Sequence, residues 1–182
     1  MSPPEEALTT ENRIERLRAL LDDVFGRRAG VTTWAGRVPA KDSAAIALAA
    51  GQIGYPKSSW HGSPTAFVPR SPHEAAVTLA MLATQSQAHE FNRPPPATLS
   101  GRIEMALGEL LPTGRFVSNA DHLVPWIPAS PPAERQARSG GFQAGATRVV
   151  TFGVKLSDAT FDTGVIGFDG ELGFIAWAEE ED

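Results

Sequence analysis

Residues 172–178, LGFIAWA, are hydrophobic throughout, one glycine apart, and no other stretch limits the fold as much. A strand turns successive side chains to opposite faces. Leu172, Phe174 and Ala176 therefore share one face, and Ile175 and Trp177 the other. Both faces need a cover, so this strand is expected inside a sheet. Upstream, 165–168 is a second apolar stretch, and Asp169-Gly170 between the two accepts the positive φ of a tight hairpin turn. Over 149–156, Val150, Phe152, Val154 and Leu156 alternate with Val149, Thr151, Gly153 and Lys155, the pattern of a half-buried strand. The three segments predict an antiparallel three-strand meander over about 148–178.

Helical spacing dominates the rest. Ile14, Leu17, Leu21, Val24 and Phe25 predict a helix over 10–27, capped by Thr9 or Thr10. A short helix follows from Asp42 or Ser43 through AAIALAA to Gly51. Ser71-Pro72-His73-Glu74 combines a cap, a proline at the first helical position and a capping-box glutamate. The helix it opens is predicted to run over 72–91 and, being apolar nearly all round in its first half, to be buried. A fourth covers about 98–111. Helices first and strands last make the expected class α+β: three to four helices on a C-terminal antiparallel sheet, extended by short strands near 31–38, 65–68 and 115–118.

A length of 182 residues suits one domain, 1–182, with a disordered arm at 1–9 and a mobile Pro/Gly-rich loop at 128–146. Thirteen arginines against three lysines, amid abundant Ala, Gly and Pro, give a bacterial-like composition of GC-rich coding. The absence of cysteine excludes disulfides, thiolate metal sites and cysteine nucleophiles. No apolar run approaches the ~20 residues that cross a bilayer, and no basic and apolar leader opens the chain. The expected location is the cytoplasm, with no membrane partner.

Charge is uneven. Residues 151–182 hold one lysine and eight acids, a sum of −7, whereas 1–150 hold fifteen basic residues against thirteen acids, a sum of +2. That end repels phosphate backbones, so nucleic acid is not an expected partner. Glu179, Glu180, Glu181 and Asp182 directly follow the most hydrophobic strand. Two readings suit them: charges that keep a sticky strand from meeting a second copy, or a negative patch that steers a basic protein.

Signatures of reaction chemistry are sparse. His73 and His89 lie sixteen residues apart, about 160° around a straight helix, so one metal cannot take both. No metal and no cofactor is expected. Asp121-His122 are adjacent in an extended segment and point to opposite faces, which makes them weak catalytic candidates, as is His61. Tyr55, Trp60 and His61 share an irregular Gly/Pro/Ser-rich loop and are candidate interface anchors, along with Glu179, Glu180, Glu181 and Asp182. The leading expectation is a non-catalytic protein-binding module, in its sharpest version an immunity or antitoxin-like inhibitor presenting an acidic face to a basic partner. The rivals are a small enzyme with a His–carboxylate acid/base pair and a structural subunit of a larger assembly. The oligomeric state is left open.

Overall fold

The computed structural model describes residues 8–53, 67–85, 94–121, 151–152 and 161–180. Its elements run α1 (Thr10–Phe25), β1 (Val31–Arg37), α2 (Asp42–Gln52), β2 (Val68–Arg70), α3 (Pro72–Thr84), α4 (Ala97–Leu110), β3 (Arg115–Ser118), β4 (Ala120–Asp121), β5 (Thr151–Phe152), β6 (Phe161–Asp169) and β7 (Leu172–Glu180). The class is α+β: among the described residues, four helices pack on a five-stranded antiparallel sheet ordered β1-β7-β6-β3-β2.

β7 lies between β1 and β6, and its two faces go to two cores. Leu172, Phe174, Ala176 and Ala178 join Ile14, Leu17, Leu79, Leu82, Ile103 and Leu107 beneath α1, α3 and α4. Ile175 and Trp177 join Ala45, Ile46, Ala49 and Phe67 on the side of α2. Helices thus cover both sides, which is what a strand apolar on both faces requires. Trp177 is fully buried and meets Phe67 edge-on at a centroid distance of 6.4 Å. Burying a side chain of this kind stabilises by roughly 1.5–3 kcal/mol.

The β6–β7 hairpin forms one residue later than expected. Asp169 pairs with Leu172, so the two turn residues are Gly170 and Glu171, with Gly170 at φ 59°. Arg13 of α1 holds the turn by donating to Asp169 Oδ2 at 2.6 Å and to the Leu110 carbonyl at 2.7 Å, and Thr113 donates to Asp169 Oδ1.

The three-strand meander needs correcting. The free edge of β6 is taken by β3, with Val117 opposite Ile166, while β5 pairs with β4 in a separate two-stranded sheet. Of 149–156, only 151–152 are described. The short strands near 31–38 and 115–118 are present, and the one expected at 65–68 is found at 68–70.

α3 begins as its sequence predicts. The Glu74 N–H donates to Ser71 Oγ at 3.2 Å, and Glu74 Oε2 accepts from the Ser71 N–H at 2.7 Å. Every residue from Ala75 to Leu82 is buried, because α3 lies between the sheet and its neighbours α1 and α4. It stops at Thr84, earlier than the predicted 91, as Gln85 turns to extended backbone. Arg28 then takes the Leu82 and Gln85 carbonyls at 3.3 and 2.8 Å. α1 begins at the Thr9 cap, which places Leu8 and Thr9 among the described residues; the rest of the expected arm, 1–7, and the loop at 128–146 lie outside them.

Candidate functional site

The C-terminal acids do not form one bare patch. Glu179 and Glu180 are strand residues of β7, with the Glu179 N–H donating to the Gly30 carbonyl at 2.8 Å. Glu180 accepts from Arg28 at 2.7 Å and has only 17% of its side chain exposed. Further along the same hairpin, Asp169 is paired with Arg13, and Glu171 with Arg37 at 3.5 Å. The negative end of the sequence is thus folded onto arginines from the first 37 residues. Burial raises the Asp169 pKa, but hydrogen bonds from Thr113 and Arg13, with the Arg13 charge, outweigh it and hold the carboxyl below its ordinary range. Glu181 and Asp182 lie outside the described residues.

Tyr55, Trp60, His61, His89 and His122 also lie outside them, and Asp121 is described by its backbone in β4 alone. His73 is exposed, with Nδ1 at 2.8 Å from Glu104 Oε2, a link between α3 and α4. Among the described residues no group of three His, Asp or Glu side chains is placed to hold a metal ion, and no helix is long and apolar enough to cross a membrane.

A buried polar group sits where β3 ends and β6 begins. Asn119 Nδ2 donates to the Asp162 carbonyl at 3.0 Å, Thr163 Oγ1 donates to Asn119 Oδ1 at 2.9 Å, and Ser118, Asn119, Asp162 and Thr163 are all fully buried. These bonds tie two strand ends together, and the asparagine amide serves both as donor and as acceptor.

The two edges of the sheet differ in kind. β2 is three residues long and carries Pro69, which lacks an N–H, so it offers little to another strand. β1 is seven residues long and contains no proline. In an antiparallel ladder alternate residues exchange both bonds with the partner, and those between point away. Gly30 and Val38 bond to β7 and its turn through Glu179 and Glu171, so the even positions face β7. The N–H and C=O groups of Val31, Thr33, Ala35 and Arg37 therefore point outward from the sheet.

Arg18 answers one of these groups. Its Nε donates to the Ala35 carbonyl at 2.9 Å. Glu11, Glu15, Arg18 and Asp22 are exposed residues at helical spacing along the α1 face beside β1. Glu11 reaches Arg37 at 2.5 Å, and Asp22 lines a cleft of about 210 Å³ with Arg18, Leu21, Thr33, Trp34 and Ala35. Trp34 stands on the opposite face of β1, half-buried, its ring over Gly36 where a Cβ would strike it. A second cleft, of about 560 Å³, adjoins along α1 and includes Asp22, Asp23, Arg27 and Arg28.

The residues around β1 were missed in the sequence. The available signal was the pair Thr32-Thr33 in an otherwise strand-like VTTWAGR, since polar side chains suit an outer strand. No family model, curated protein or solved structure matches the chain.

Proposed function

We propose that this chain is a non-catalytic protein-binding module, an inhibitor of the immunity or antitoxin type, that meets a basic partner with the flank formed by α1 and β1. The observation that carries the reading is the exposed pair Glu15 and Asp22 on the α1 face beside β1, with Arg18 between them engaged on the Ala35 carbonyl and a half-buried tryptophan, Trp34, on the other face of the strand. Charge at a rim steers a partner from a distance, whereas an aromatic side chain supplies contact area once it arrives. Glu179 and Glu180 lie at the Gly30 end of β1, Glu180 tied to Arg28 and Glu179 on the Trp34 side by the alternation of β7, so the strand-end acids keep a part in this reading.

The test uses a purified basic partner that forms a defined complex with the wild-type chain. Changing Glu15→Gln and Asp22→Asn together is expected to slow association about tenfold and to flatten its salt dependence, with little change in dissociation. Unchanged association in the double variant would remove this flank from the interface.

A further inference from the structure

We infer that β1 is a receptor strand: an extended basic segment of the partner adds to its open edge, and Arg18 is the plug that this segment displaces. The inference rests on the protein-binding reading and adds how the partner is held. Among the described residues β1 has no ladder partner on its outer side, so the outward N–H and C=O groups at Val31 and Thr33 form a ladder for a sixth strand, and the Ala35 carbonyl completes it once Arg18 swings away.

The flank also states what that segment must look like. Side chains of an added strand alternate between the two faces of the sheet. One set would lie beside Glu15 and Asp22 on α1, where lysine or arginine fits. The other would lie beside the indole of Trp34, where an apolar side chain fits. The occupant is therefore a strand alternating basic and apolar residues. A second copy of this chain suits the edge less well than a basic segment, since two β1 strands meeting antiparallel would bring two identical α1 faces, each with Glu15 and Asp22 exposed, side by side.

Arg18 gives the edge its control. An unguarded seven-residue edge invites indiscriminate pairing. A guanidinium on one carbonyl blocks continuous pairing but yields to a segment that supplies several bonds at once. The opposite edge, kept short and proline-bearing, needs no such guard.

The experiment uses a fluorescein-labelled peptide of about eight residues alternating lysine and valine, titrated into the full chain. Saturable binding is expected, with the amides of Val31, Thr33 and Ala35 gaining protection from hydrogen exchange. Thr33→Pro deletes an outward N–H without touching the β1–β7 ladder and should abolish binding. Methylating the peptide's own amides on one edge should do the same with the protein unaltered, which covers the case of a variant that fails to fold. Arg18→Ala should tighten binding severalfold, and should still do so for a neutral serine–valine peptide, where the lost charge has no effect. A glutamate–valine peptide should not bind. Thr33→Pro binding as well as wild type, or methylated and plain peptides binding alike, would overturn strand addition. So would a dimer of the free chain that Thr33→Pro dissociates, because the edge would then belong to a second copy. If strand addition fails while the partner still associates in a Glu15- and Asp22-dependent way, only the mode of capture is lost. Loss of that dependence retires the function proposed above.

Discussion

Arg28 and Glu180 stand 152 positions apart in the sequence and 2.7 Å apart in space. The same guanidinium closes the end of α3 through the Leu82 and Gln85 carbonyls. One side chain thus joins the segment before β1, the last turn of α3 and the end of β7.

Removing that junction is expected to matter more than its surface position suggests. Arg28→Ala removes one donor from a half-buried carboxylate and from two carbonyls and should cost about 1–3 kcal/mol by urea unfolding. Glu180→Gln keeps the shape and should cost about 1 kcal/mol. Glu171→Gln, whose partner Arg37 is exposed, should leave the unfolding midpoint where it is. Equal midpoints for all three would mean that the Arg28 contacts add nothing. Sequence alone predicts little stability loss from neutralising the terminal acids; the Arg28 pair makes Glu180 the exception.

Asp169 sets an acid limb of stability. Its folded pKa lies below the ordinary value, so its stabilising contribution is complete above the unfolded pKa of about 4. The contribution is lost as pH falls through the lower folded value, because the unfolded chain takes up the proton first. Asp169→Asn should therefore be less stable than wild type at neutral pH, by about 1–2 kcal/mol, and the gap should narrow as the pH falls below the ordinary aspartate range and through the lowered folded value. A gap that stays constant on acidification would show that the charge of Asp169 is not what Arg13 and Thr113 hold.

Gly164 admits no side chain. A Cβ there would run into the Ala176 carbonyl oxygen and the ring of Trp177, one of them fixed backbone in the neighbouring strand. Gly164→Ala is expected to cost about 1–3 kcal/mol. Gly101→Ala on α4 meets open space and should stabilise by about 1 kcal/mol through helix propensity. Thermal unfolding of the two variants side by side decides the matter, and a neutral Gly164→Ala would contradict the β6–β7 register.

Ser71→Ala removes the hydroxyl that accepts from Glu74 and should lower stability by about 1 kcal/mol. Ser71→Asp keeps an acceptor at the cap and should recover most of the loss. If the aspartate variant is no better than the alanine one, the capping box is not what anchors α3.

How much of this could be read in advance follows from the range of the interactions. β7 was legible because its side chains demand cover on both faces, and the start of α3 because its cap is encoded within four residues. The neighbour of β6 was not. A four-residue RFVS and the longer alternation at 149–156 compete for the same edge, and nothing in their periodicity records which wins. The end of α3 was also hidden, since helix-compatible sequence continues past Thr84 while the carbonyls there are claimed by Arg28 from a distant segment. That β1 is an edge among the described residues is a property of what does not pair with it, which local pattern cannot express. Tyr55, Trp60, His61 and His122, the loop residues favoured by composition, lie outside the described residues.

Placing β7 between β1 and β6 has a consequence for how the chain reaches its native state. β1 is synthesised early, and among the described strands it has no ladder partner on either side until β7 emerges. During that interval both of its edges are unsatisfied, and closing the long loop to β7 is slow because its entropy is lost before the contacts are made. Arg18 lies only one helix away and needs no distant segment to reach the Ala35 carbonyl. The residue that guards the finished edge is therefore available to shield the nascent strand against misassembly, and Arg18→Ala is expected to lower the yield of refolding at high protein concentration before it alters the folded state at all.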